Sequence, residues 1–112
     1  YLKVLFEDHG FAVISATNGQ DGYQKAVSHH PDLITLDISM PAESGIRTFA
    51  ALQENPATAD IPVVIITGLS QDVLQFIEAH PEVRPPAACF DKPPDRRRLI
   101  AKIEQILGRS AA

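Results

Sequence analysis

Apolar positions in this chain alternate between helical and extended spacings, and the alternation runs from end to end. Leu2, Leu5 and Phe6 stand at i, i+3 and i+4, one face of a helix over Tyr1 to Asp8. His9-Gly10 ends it, with Gly10 suited to a left-handed residue past the last turn. The apolar run Phe11 to Ala16 predicts a short strand. Thr17-Asn18-Gly19 is turn chemistry leading into a second helix that runs to about His29, and Pro31 forbids its continuation. Leu33 to Leu36 is β-rich and apolar on both faces, the pattern of a buried parallel strand, and it ends at Asp37.

A loop over Ser39-Met40-Pro41-Ala42-Glu43-Ser44 gives way to a third helix with Ile46, Phe49, Ala50 and Leu52 inward, closed by Asn55-Pro56. Pro62 opens a strand, Val63 to Ile66, that ends at Thr67-Gly68. Ser70 stands as N-cap of a fourth helix with Val73, Leu74 and Ile77 on one face, ending near His80-Pro81. Ala87 to Phe90 is the last strand. Asp95 then caps a fifth helix whose core stripe is Leu99, Ile100, Ile103, Ile106 and Leu107, stopped by Gly108. Strands that alternate with helices in this way call for a parallel sheet covered by helices on both faces.

Composition narrows the picture. The chain has 112 residues, 45% of them apolar and 21% charged, which suits one globular domain with its own core. Ten Lys and Arg against fourteen Asp and Glu leave a formal charge of −4, the wrong sign for direct nucleic-acid binding. The longest aliphatic run, Val63-Val64-Ile65-Ile66, is far short of the ~20 residues a membrane span needs, and no secretory leader is visible. A single cysteine, Cys89, excludes an internal disulfide and a thiolate zinc cage. The expected location is cytoplasmic.

In an open parallel sheet the site lies beyond the carboxyl ends of the strands. Asp37, Thr67 and Lys92 all fall at such ends. Together they supply a nucleophilic carboxylate, a hydrogen-bonding hydroxyl and a neutralising ammonium, with Gly68 leaving room for an incoming group. The four histidines, His9, His29, His30 and His80, sit at helix ends, where partial positive charge suits the dipole, and lack metal-ligand spacing. Arg96-Arg97-Arg98 point around a helix as a solvated first turn. Pro81, Pro85 and Pro86 shorten the fourth helix and stiffen the approach to the last strand, either a reshaped partner surface or a tolerated loop variation.

Pro31-Asp32-Leu33-Ile34-Thr35-Leu36-Asp37-Ile38-Ser39-Met40-Pro41, followed by Gly45, resembles the phosphoacceptor signature of response regulator receiver domains. Ala16-Thr17-Asn18-Gly19, Ile61 to Gly68 and Asp91-Lys92-Pro93 match the family's other landmarks in order and spacing. The resemblance covers nearly the whole chain. It implies a flavodoxin-like, doubly wound α/β fold with strand order 2-1-3-4-5, whose first strand is missing from this chain. Residues 1–108 would form the receiver domain and 109–112 a C-terminal tail.

By the same resemblance, Asp37 accepts a phosphoryl group from a sensor histidine kinase or a phosphotransfer protein, with Thr67 and Lys92 as switch hydroxyl and lysine. The Lys92-Pro93 bond would be cis. Mg²⁺ would be held by Asp37 and the Ser39 carbonyl. Two ligands are too few for an octahedral hard cation, so further acidic ligands are expected before Tyr1. No other cofactor is implied. Output or self-association would use the face of the fourth helix, last strand and fifth helix, without nucleic-acid or membrane contact.

Such a protein is not an enzyme acting on metabolites; it catalyses only its own phosphotransfer and dephosphorylation. The alternative is a phosphorylation-independent, receiver-like interaction module. A haloacid-dehalogenase-like hydrolase would need a second Asp two residues after Asp37, where Ser39 stands. The family's aromatic residue three positions before the lysine is Cys89 here, expected as a small, largely buried hydrophobe.

Overall fold

A computed structural model describes residues 2–16, 19–38 and 42–108. The elements in chain order are α1 (Leu2–Asp8), α2 (Gly19–His29), β1 (Ile34–Ile38), α3 (Ala42–Glu54), β2 (Val63–Thr67), α4 (Ser70–Ala79), β3 (Ala88–Asp91) and α5 (Arg96–Ile106). The three strands form one parallel sheet in the order β1-β2-β3. No helix of the described residues is long and apolar enough to cross a membrane.

Strand β2 organises the molecule. Its five residues are all buried, and their period of two sends successive side chains to opposite faces. Val63 and Ile65 join Ile38, Ala26 of α2, Ile46, Phe49 and Leu52 of α3, and Val73 of α4. Val64 and Ile66 join Phe6 of α1 and Leu99, Ile100 and Ile103 of α5. A strand that is apolar on both faces thus becomes the middle of a three-layer sandwich, as its sequence requires. The turns follow their chemistry too. Gly10 and Gly108 close helices at φ 85 and 72, and Asp95 Oδ1 accepts from the Arg98 amide at 3.1 Å to cap α5.

The structure departs from the sequence expectations in several places. No strand forms over residues 11–16. Phe11 and Val13 still pack against the α1/α5 core while Ile14 is 53% exposed, so the segment keeps its alternation without a ladder. A strand exists only through a partner, and none of the three strands pairs with this segment; the Ser15 carbonyl accepts from Lys25 Nζ at 2.6 Å instead. The order expected for two further strands is therefore not seen among the described residues. Helix α3 takes in residues 42–44, expected in the loop, consistent with the good helix propensity of Ala and Glu. Helix α4 is preceded by Leu69, with Ser70 already helical and no side-chain cap. Its Leu74 is 54% exposed, because Val73, Phe76 and Ile77 fill the face toward the sheet.

Helix α3 approaches β1 closely at Gly45. A Cβ there would lie 2.7 Å from Ile38 Cγ1 and 3.1 Å from Cγ2, closer than carbon atoms pack. Gly45→Ala therefore runs against the usual rule that Ala stabilises a helix interior by about 1 kcal/mol. The expected outcome is a net loss of about 1–3 kcal/mol from overpacking. It is read as a lower denaturation midpoint at unchanged m-value.

Candidate functional site

The three carboxyl ends bring together the residues that the spacing singles out. Asp37 is the penultimate residue of β1, inside the strand, not beyond it, and its register partner is Ile66. Period two explains its position: Ile38 turns into the core at 1% exposure while the Asp37 side chain remains 56% exposed at the rim. Thr67 ends β2 opposite Ile38 on one side and Asp91 on the other. Lys92 follows β3 directly, and its amide donates to the Thr67 carbonyl at 3.1 Å, extending the ladder by one bond. The Lys92–Pro93 peptide bond is cis.

From there the Lys92 ammonium reaches Asp37 Oδ1 at 2.5 Å. The carboxylate is 56% and the lysine side chain 37% exposed, and a pair this wet contributes at most about 1 kcal/mol to stability. The pair holds a carboxylate oxygen beside a positive charge at the open rim of the sheet. Gly68 is exposed, and nothing lies within 4 Å of where its Cβ would be, so the rim beside Thr67 is open.

Thr67 is oriented differently from the sequence expectation. Its hydroxyl is fully buried, donates to the Ile38 carbonyl at 2.7 Å and accepts from the Leu69 amide at 2.9 Å. The hydroxyl thus ties the end of β1 to the entry of α4, and must exchange these partners to bind a group at Asp37. Ile38 and Leu69 contribute through their backbones, which no side-chain motif announces. Ser39, expected to offer a carbonyl to Mg²⁺, lies outside the described residues, as do Met40 and Pro41.

Among the described residues no three His, Cys, Asp or Glu side chains converge. Asp37 contributes one carboxylate, and one of its oxygens already faces Lys92. The described residues alone therefore do not fit a complete Mg²⁺ site. A cleft lined by Leu5, His9, Pro94, Asp95, Arg96 and Arg97 lies between α1 and the start of α5 and includes none of the three rim residues. The arginines at 96–98 are exposed, in keeping with a solvated first turn.

Cys89 is exposed, contrary to the expected burial. Ala88 and Phe90 of β3 pack against the α1/α5 core, so alternation turns Cys89 and Asp91 outward on an edge strand. The partial burial that remains, and secondarily the charge of Asp91, push its thiol pKa up, which makes the reactive thiolate scarce near neutral pH.

A parallel sheet sandwiched by helices, with Asp37, Thr67 and Lys92 at adjacent carboxyl ends, is the arrangement expected of the family that the sequence motifs resemble, and comparison with known proteins supports that family. Residues 1–104 match the family described as response regulator receiver domain. Protein PilH of Pseudomonas aeruginosa is 31% identical over 106 residues, which span 95% of this chain and 85% of PilH. Longer curated transcriptional regulators are matched over only 44–46% of their length.

The solved signal receiver domain of a signal transduction histidine kinase from Syntrophus aciditrophicus superposes with a TM-score of 0.79 at 27% identity, covering 96% of this chain and 79% of that one. The receiver domain of sensor histidine kinase PA1611 from Pseudomonas aeruginosa, solved with magnesium in its active site cleft, shares the fold at 17% identity. Its TM-score is 0.78, over 96% of this chain and 85% of that one. The chain belongs to the response regulator receiver domain family.

Proposed function

We propose that residues 1–108 act as the phosphoacceptor switch of a two-component phosphorelay, with Asp37 the acceptor. The observation that carries this reading is the Lys92 ammonium seated on the Asp37 carboxylate at the open end of the sheet. An Asp37 oxygen attacks the phosphorus of a phosphohistidine on a sensor kinase or phosphotransfer protein. The P–N bond breaks, imidazole leaves and an acyl phosphate remains. Lys92 balances charge that builds on the phosphoryl oxygens, and Thr67 supplies a hydroxyl once it leaves Ile38 and Leu69. The chain turns over no metabolite; it catalyses only its own phosphorylation and dephosphorylation, in the cytoplasm. Magnesium in the intact domain requires carboxylates beyond those described.

A second reading, a phosphorylation-independent interaction module, is favoured by one observation, the lack of an acidic cluster around Asp37 among the described residues. One experiment separates the two. Intact protein incubated with acetyl phosphate and Mg²⁺ is expected to gain one phosphoryl group by mass spectrometry, and Asp37→Asn to gain none. Label persisting in Asp37→Asn overturns the assignment, and no label in wild type favours the module.

A further inference from the structure

The amino-terminal ends of the strands, opposite the rim of Asp37, Thr67 and Lys92, carry a cleft of about 270 Å³. Its floor is apolar. Phe49 and Leu52 of α3 and Val63, the first residue of β2, are all buried members of the core, so the cleft reaches down to packed side chains. Pro62, Pro85 and Pro86 form part of its wall, and proline brings no amide donor.

The polar side chains that line this cleft are of two kinds. Gln53 and Thr58 are committed to the chain itself. The Gln53 amide clamps Arg84, donating through Nε2 to its carbonyl at 2.6 Å and accepting from its amide through Oε1 at 2.8 Å. The buried Thr58 hydroxyl donates to the Leu52 carbonyl at 2.7 Å. The Arg84 guanidinium, by contrast, donates once, to the Ala59 carbonyl at 2.8 Å, so further donors of its rigid fork stay open to a ligand. Asp60 is exposed, and its carboxylate has no ion pair among the described residues. A cation and an anion thus line one cleft without pairing with each other.

We propose that this cleft binds an apolar α-amino acid, its side chain on the floor of Phe49, Leu52 and Val63, its carboxylate on Arg84 and its ammonium on Asp60. The charge pattern carries the choice of ligand. Two uncommitted charges of opposite sign above an apolar floor match an apolar zwitterion. A plain carboxylate would meet repulsion from Asp60, and a plain amine repulsion from Arg84. The volume, just under the roughly 300–1,000 Å³ of sites for drug-sized ligands, suits a molecule this small. Both charged groups are exposed, so solvent screens each contact, and the expected dissociation constant is about 1 mM. The site shares no residue with the phosphoacceptor rim and does not depend on that reading.

Titration of the isotope-labelled intact protein with L-leucine, followed by amide chemical shifts, tests the site. Saturable shifts are expected at Ala59, Arg84 and Ala87, with Asp37, Thr67 and Lys92 unmoved. 4-Methylpentanoate keeps the carboxylate without the ammonium, and 3-methylbutylamine keeps the ammonium without the carboxylate. Each is expected to bind about tenfold more weakly than leucine, the scale of one lost charged hydrogen bond. Arg84→Gln is expected to weaken leucine about tenfold, and Ala87→Leu, which puts bulk at a lining position, to weaken it as well. Unchanged shifts of the β2 amides at 64–66 show that each variant is folded. The proposal is overturned if leucine gives no saturable shift, or if either analogue binds within threefold of leucine. It is overturned equally if folded Arg84→Gln binds leucine as the wild type does.

Discussion

Lys92→Ala is expected to slow phosphorylation of Asp37 by about 100- to 1000-fold, the usual cost of removing one preorganised group that stabilises transition-state charge. The same substitution is expected to change folding stability by less than about 1 kcal/mol, because both members of the pair are substantially exposed. This separation is the point of the experiment. The Lys92 backbone amide, which donates to the Thr67 carbonyl, is untouched by truncating the side chain, so the end of β3 stays in register. Initial rates of labelling by acetyl phosphate, read beside a denaturation curve for the same variant, give both numbers. Lys92→Arg keeps the charge but replaces a compact ammonium with a wider planar fork, and is expected to recover only part of the rate. A Lys92→Ala rate within threefold of wild type would remove the lysine from the mechanism.

A residue's role is legible in the sequence where it depends on that residue's own neighbours in the chain. Gly10 and Gly108 terminate helices because only a residue tolerant of positive φ fits there, and both positions are visible as glycine after an apolar period. Asp95 caps α5 for an equally local reason. The double-sided apolar run at 63–66 announces a central parallel strand before any partner is known. The rim of Asp37, Thr67 and Lys92 is legible because topology places every strand's carboxyl end on one side.

What is not legible depends on partners distant in sequence. Residues 11–16 have a strand's alternation, but a ladder needs a second backbone at hydrogen-bonding distance, and alternation says nothing about that. Cys89 follows the same logic in reverse. Its burial is decided by which face of an edge strand is covered, so a small apolar residue in a short apolar run ends up exposed. Thr67 is placed correctly, yet its hydroxyl chooses between the open rim and the Ile38 carbonyl, and the choice is made by the register of β1 against β2. The Gln53 clamp on Arg84 joins residues 31 apart through a side-chain amide, a pairing with no sequence signature at all.

Ile65→Ala is expected to destabilise the protein by about 2–5 kcal/mol, the range for removing a large aliphatic side chain from a packed core. Against a total stability of about 5–15 kcal/mol for a domain of this size, that is a major fraction. Ile65 has zero exposure, sits at the middle of the central strand between Leu36 of β1 and Cys89 of β3, and packs on the face covered by α2, α3 and α4. The cavity opens in the interior layer, where elements fixed on both sides cannot collapse to fill it. Leu74→Ala, at 54% exposure, is the control and is expected to stay within about 0.5 kcal/mol of wild type. Urea denaturation with a common m-value reads both. The site adds a second readout, because β2 carries Thr67 and its two neighbours carry Asp37 and lead into Lys92. If the sheet holds its register around the cavity, the labelling rate per folded molecule stays at the wild-type value while the folded fraction falls. A drop in that specific rate under conditions where Ile65→Ala is fully folded would show instead that core packing beneath the rim sets the distance between the lysine and the carboxylate.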